Sequence, residues 1–496
     1  MLASAAGSGE GTSDPRAARR ALTRIAQQVV TEASVAAITL GAAFLIGALL
    51  ILCTTANPRT IIKDHGLSLQ TVGLLLHYPF NAYVNLFSGA FGAPDMATAT
   101  ITLEQTVPLV FTGMAVAFAF RAGLFNIGAE GQLYMGAIAA TWVGVSFPKL
   151  PGPILLPLVL LAAIVAGALW GGIAGFLKAY RGAHEVITTI MLNYTAIYLT
   201  TALVSLQGPL ISPTAQGQAT SSRIGDGGLL PALTWLGKDS GLDAGAYLAL
   251  VALVLYWFVI WRTSLGYEIR AVGLNAGAAA YGGIPVNRRI IIAMAIAGAL
   301  AGLAGGTHIA APSAGSFQSQ FSPGWGFDGI AVALLGKGNP IGILLAAILF
   351  AALRTGGPGM QAVGVSPHIA ELLQGIIVLF VALDAAVRRV LLARRRATRV
   401  AAMAGEKAGT GGAYSPSVEE IAAASSGAGT WDGLLVVSVF AAICSVLFVH
   451  VALGALALIL AALYALSQRR ITRGVIVTVI VAVVCLALGL AVDRYL

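Results

Sequence analysis

Two apolar runs, residues 244–261 and 290–311, flank the basic stretch RTSLGYEIRAVGLNAGAAAYGGIPVNRR at 262–289, and each is long enough to cross a bilayer. In hydrocarbon no backbone polar group can stay unpaired, so such runs must be helices and the stretch between them must return to water. The same alternation recurs along the chain, which restricts the fold to an all-α, polytopic membrane helical bundle. Composition agrees: 58% hydrophobic residues, 10% charged and a mean hydropathy of +0.86 do not describe a soluble globule. A net charge of +9 raises nucleic acid as a partner. The basic residues, however, sit in short segments beside the apolar runs, where retention on the inner face explains them, and nucleic-acid binding is rejected. Cys53, Cys444 and Cys485 stand isolated in apolar runs, without the pair spacing of a metal or redox site.

Taken in order, residues 1–32 read as a cytoplasmic tail, small and polar with Arg16, Arg19, Arg20 and Arg24. Residues 33–55 form a first span, and 69–91, with Pro79, Asn81 and Asn85, suit an interfacial helix on the outer face. Residues 101–122 return, and 124–147 leave again. That second run opens with GLFNIGAEGQ, too polar and Gly-rich for lipid, and a broken helix is expected there. Residues 154–177 return to Lys178 and Arg181, 186–206 go out, and 207–243 form a polar outer loop. Beyond 311, two runs at 327–335 and 341–353 are each short of the ~20 residues of an upright span and are divided by GKGNP, so a pair of half-helices is expected. Arg354 then lies outside, against the charge rule, while 367–387 returns to a basic segment. About ten segments make up a transmembrane domain over 33–399. A linker at 400–430 and an appended transmembrane module at 431–496 follow.

The basic stretch predicts one exposed cytoplasmic helix over 267–281, stopped by Gly282-Gly283 and Pro285. Ile269, Val272, Ala276, Ala279 and Ala280 line one face at helical spacing, whereas Arg270 and Leu274 point away from it. Such a helix can lie on its own membrane domain and offer a knob and a charge to a motor protein. It equally suits an ordinary loop between spans.

No phosphate-binding loop, zinc spacing or nucleophile elbow occurs, so no enzymatic activity, metal or cofactor is expected. What remains is polar residues at membrane depth, which mark either a pathway or a helix contact. Asn126, Glu130 and Gln132 form the strongest group. Asn126 as a helix cap with Glu130 in the first turn accounts for them as well. The run GFDGIAVALLG at 326–336, with Asp328, echoes the first group, as two halves of an internal repeat around a substrate path would. Asn193, Tyr194, His308 and Gln318 can add hydrogen-bonding groups to such a path, or simply pack helices together.

Three motifs, RAGLFNIGAEGQ at 121–132, TSLGYEIRAVGLNAGAAAYGGIPV at 263–286 and FDGIAVALLGKGNPIG at 327–342, resemble in their order the ABC-importer permeases of the branched-chain amino acid and ribose permease family, nucleoside and simple-sugar subgroup. The resemblance implies a multi-pass protein of the bacterial cytoplasmic membrane that contacts membrane lipid. It also implies a second permease subunit in a heterodimer, a cytoplasmic ABC ATPase and an extracytoplasmic substrate-binding lipoprotein. The basic stretch becomes the coupling helix, with Arg270, Leu274, Asn275 and Gly277 toward the ATPase. The module after Trp431 departs from the family pattern, in which the chain ends soon after the basic segment. The rival reading is an ion-coupled secondary transporter with Glu104, Glu130, Asp328 and Glu371 as proton sites.

Overall fold

Helix boundaries follow local chemistry in a computed structural model that describes residues 40–55 (except 42), 69–92, 97–205, 208–213, 218–233 and 241–381. The readings made for the tail at 1–32, the linker at 400–430 and the module at 431–496 lie outside the described residues. The chain divides into two units, Thr55–Val378 and a second made of Met1–Thr54 with Leu379–Leu496. In the second unit the described part of the first span is helix α1, Ala43–Thr54.

The unit Thr55–Val378 is built from α2 (Leu69–Phe91), α3 (Ala97–Arg121), α4 (Ala129–Ser146), α5 (Gly152–Arg181), α6 (Glu185–Val204) and α7 (Gly245–Arg262). Two short helices, α8 (Ser264–Leu274) and α9 (Ala276–Tyr281), precede α10 (Val286–Ala310), α11 (Trp325–Leu335) and α12 (Pro340–Gly356). A 3-10 turn, Gly357–Val363, leads to α13 (His368–Val381). Among the described residues six helices are long and apolar enough to cross a membrane, and β structure is limited to three isolated bridges.

At the centre α10 lies between α4 and α5, and glycine lets the backbones meet. A Cβ on Gly167 would fall on the carbonyl oxygen of Gly298, and one on Gly136 would fall on that of Gly302. The run AGALAGLAGG in α10 is therefore a contact surface, held by close van der Waals packing where lipid supplies no hydrophobic drive between helices. Around this centre α3 is largely buried, whereas α5, α6 and α7 each turn a broad apolar face outward.

Charge sets the orientation. Arg121 reaches the carbonyl oxygen of Gly338 (3.0 Å), Lys178 pairs with Glu185 (2.7 Å), and Arg289 pairs with Glu268 at the same end as Arg262 and Arg270. That end is cytoplasmic by the positive-inside rule. At the other end the described parts of 208–233 zip onto the loop 311–324, with Ser221 N–H donating to Phe317 O (2.8 Å), Ile224 N–H to Gly315 O (2.8 Å) and Arg223 to Pro312 O (2.9 Å).

Two expectations change. The expected pair of half-helices is one half-helix and one span: α11 has 11 residues, but α12 runs on through its 3-10 turn as a 24-residue crossing, Pro340–Val363. Asn339 caps its start by accepting from Ile341 N–H (3.2 Å), and Pro340 follows at the first helical position, so GKGNP is a tight turn between two helices. Arg354 departs from the charge rule because it is paired with Asp328 and donates to Pro323 O (3.1 Å), which removes it from the lipid-facing charge count.

Candidate functional site

After α3 the chain reverses at Gly123, whose φ of +73° is the left-handed conformation glycine tolerates, and climbs back among the helices without forming one until Ala129. The expected interruption is thus present. Its polar side chains close on one another. Asn126 and Gln132 exchange side-chain amide bonds of 3.0 and 3.2 Å, and Asn126 Oδ1 also accepts from Gly128 N–H (3.0 Å). Asn193, from α6, accepts from Gly131 N–H (2.8 Å) and donates to Ile127 O (2.9 Å). All three are buried. They supply partners for the non-helical backbone at Ile127 and Gly128 and for Gly131 N–H in the first turn of α4, as membrane depth requires.

Glu130 does something different. It sits in the first turn of α4, and its Oε2 accepts from Gly326 N–H (2.6 Å) in the first turn of α11. The two helix starts abut so closely that a Cβ on Gly326 would strike the backbone of Glu130. One carboxylate therefore faces the positive ends of two helices, the arrangement in which a buried negative charge is best tolerated. Thr112 of α3 braces the junction by donating to Trp325 O (2.9 Å). The two echoing motifs of the sequence are in contact here, through their helix starts.

Above the junction rings gather, of which the sequence pointed only to His308. Tyr134, His308, Phe317, Phe321 and Trp325 form one cluster with Phe321 at its hub, 4.8 Å from Tyr134, 5.2 Å from His308 and 5.1 Å from Phe317 between ring centroids. The available signal was the spacing of Phe317, Phe321 and Trp325 at four-residue intervals in an otherwise polar loop. Next to His308 lies a cavity of about 20 Å³, lined also by Glu104, Thr307 and Asp243, with room for a water. Burial pushes the Asp243 carboxyl up to about 6, with Glu104 adding to the rise and the Gly245 N–H opposing it.

Two of the remaining candidates stand apart from this junction: Tyr194 is exposed on α6 next to buried Asn193, and Gln318 is exposed in the outer loop opposite Thr220. Asp328 lies beside it, in the first turn of α11, where Arg354 holds it. The four carboxylates of the secondary-transporter reading are each engaged: Glu104 by Ser313 (2.5 Å), Glu130 by Gly326, Asp328 by Arg354 and Glu371 by His368 (3.2 Å).

On the cytoplasmic side the expected single helix is two, because Asn275 is extended (φ −161°, ψ 105°) and caps α9 by accepting from Ala278 N–H (3.0 Å). The break re-aims the second piece, so Ile269, Val272 and Ala279 are buried as expected while Ala276 and Ala280 are exposed. Gly283 supplies the left-handed stop, with φ +82°. Arg270 does not point away. Its guanidinium lies 4.4 Å from the ring centroid of Trp261, whose other neighbour is Arg121 at 5.3 Å, and Nε donates to Gly266 O (3.3 Å). Leu274 is 89% exposed, and Tyr281, at 97%, is a second knob the sequence reading passed over. Gly277 is exposed, and a Cβ there would crowd the capping Asn275 oxygen at 3.3 Å. Between the knobs and the bundle, Gly273 meets the turn after α3: a Cβ on Gly123 would lie 3.1 Å from the Gly273 Cα.

Residues 98–382 match the family described as "Branched-chain amino acid transport system / permease component". The chain belongs to this family. A guanosine ABC transporter permease protein of Bacillus subtilis, NupP, is 42% identical over 319 residues, 63% of this chain and 88% of its own length. A glucose ABC transporter permease protein of Haloferax volcanii is 38% identical, over 61% of this chain and 80% of its own. A second guanosine permease protein of Bacillus subtilis, NupQ, is 31% identical, over 50% and 78%. No solved structure matches. This permease is a multi-pass protein of the cytoplasmic membrane and the membrane subunit of an ABC transporter. It is not an enzyme. Hydrolysis belongs to a separate ATPase subunit, and membership implies an outer substrate-binding protein as well. The family settles the choice against an ion-coupled carrier.

Proposed function

We propose that this permease imports nucleosides, guanosine among them, as one half of a permease heterodimer driven by a cytoplasmic ABC ATPase and fed by an outer lipoprotein. The observation that carries the substrate is the 42% identity to a guanosine permease across 88% of that protein. Two such permeases in Bacillus subtilis, both similar to this chain, favour a heterodimer over a homodimer. A sugar is the second reading, favoured by the 38% identity to a glucose permease.

Transmission runs from the exposed knobs of α8 and α9 inward. The ATPase grips Leu274 with Arg270, Asn275 and Gly277 beside it, and α8 pushes through Gly273 on the turn at Gly123, which continues into 124–128 and the Glu130 junction. Domain rocking of this kind exposes a central path to each side in turn. Of the residues read as path-lining, Glu130 and His308 stand at the two levels where movement of α11 would open space, with Asp328 on α11 itself. Asn126, Gln132 and Asn193 anchor the interrupted segment beside them.

Uptake of radiolabelled guanosine by cells expressing the whole transporter tests this reading. Accumulation should be competed by unlabelled nucleosides and not by glucose, and should vanish when the partner ATPase cannot hydrolyse ATP. Competition by glucose alone would move the substrate to the sugar class.

A further inference from the structure

The ring of Phe321 lies flat on the imidazole of His308, with centroids 5.2 Å apart and planes 12° from parallel, while the other ring contacts of Phe321, to Phe317, Tyr134 and Trp325, are edge-on or tilted. Three features set this pair apart from ordinary packing. Phe321 is only half buried, on a loop rather than a helix. Gln320 beside it is held at φ +58°, which an L residue adopts only where its surroundings impose it, so the loop presents the ring under strain. Among the described residues neither nitrogen of His308 has a hydrogen-bond partner, although the ring borders a cavity that Glu104, Asp243 and Thr307 also line.

We propose that the His308 face now covered by Phe321 is a stacking platform for the flat base of a nucleoside, which takes the place of the Phe321 ring as the substrate passes. This rests on the nucleoside reading given above and deepens it to a named subsite. Stacking on an aromatic face accepts any base, because every base has a π-face, and a sugar without a base cannot replace the ring in the same way. The acceptors around the cavity, the Glu104 and Asp243 carboxylates, suit the N–H and amino edges of a purine. Trp325, 4.9 Å from His308 and roughly perpendicular to it, would wall the stacked base on its edge.

The test is equilibrium binding of radiolabelled guanosine to the purified full chain in detergent, with ribose as competitor. If Phe321 competes with the base, Phe321→Ala tightens guanosine binding several-fold, which loss of a merely structural contact would not do. His308→Leu should weaken it roughly tenfold, and His308→Phe, which keeps a flat face, should restore it. Should Phe321→Ala not fold, Phe321→Leu gives up the stack on His308 and covers less of its face, so it should tighten guanosine binding in the same direction and by less. The platform is overturned if the wild-type chain binds no guanosine, if ribose competes equally, or if His308→Leu and the Phe321 variants leave binding unchanged. Cellular guanosine uptake that persists alongside any of these results leaves the nucleoside reading standing and removes only the subsite.

Discussion

A polar side chain in a membrane helix has to find a partner, and Asn126, Gln132 and Asn193 show how completely that demand can be met from within. Their amides serve one another and the backbone of 127–131, leaving none of the three as a free hydrogen-bonding surface for substrate. Asn126→Ala would strip Gln132 of its amide partner and Gly128 N–H of its acceptor, a loss of about 1–3 kcal/mol for buried groups left unpaired. Thermal unfolding in detergent should register this as a clearly lower midpoint. Tyr194→Ala, on the exposed face of α6, should leave the midpoint near wild type. Equal midpoints for the two variants would mean that the amide cluster does not hold the interrupted segment.

Among the elements, the pair α8 and α9 separates gripping from pushing. Leu274 projects into water, whereas neighbouring Gly273 is pressed so closely on the turn after α3 that a Cβ there would fall on the carbonyl oxygen of Arg121. The two positions should fail differently. Leu274→Asp places a carboxylate on the face argued to meet the ATPase, where burying it unpaired costs several kcal/mol, so the ATPase should detach from the membrane complex. Gly273→Leu leaves the outer knobs intact and forces α8 off the turn, so the ATPase should stay bound and hydrolyse ATP while transport falls at least tenfold. Co-purification of the ATPase, followed by hydrolysis and uptake on the same preparation, distinguishes them. A wild-type uptake rate in Gly273→Leu would show that this joint transmits nothing.

For the whole molecule the question is which part of the chain transport requires. The family match stops at residue 382, leaving the linker at 400–430 and the apolar module at 431–496 outside it. Removing everything after Gly429 should therefore leave guanosine uptake within about twofold of wild type at equal membrane abundance. Glu130→Ala should nearly abolish uptake, because it leaves Gly326 N–H without its carboxylate where two helix starts meet. A truncated protein that inserts normally and transports nothing would assign the module a role in the transport cycle itself.

The sequence by itself determined what depends on solvent preference and local geometry. Apolar run length and the placement of Arg and Lys sufficed for a helical membrane bundle, its orientation and an exposed basic stretch at 262–289. Glycine-rich polar runs sufficed to place the interruptions near 126 and 326. Only the tertiary structure decided how these pieces meet, because contacts between residues distant in the chain leave no period in it. The pairing of Glu130 with Gly326, the continuation of α12 into a full crossing, the folding of Arg270 onto Trp261 and the stacking of Phe321 on His308 each depend on a partner set by packing. The break at Asn275 lies between these cases, since Asn is a good cap wherever a helix starts. Two short helices replace one here because Asn275 is extended, so that Ala276 and Ala280 turn out to solvent while α8 packs through Ile269 and Val272 and α9 through Ala279.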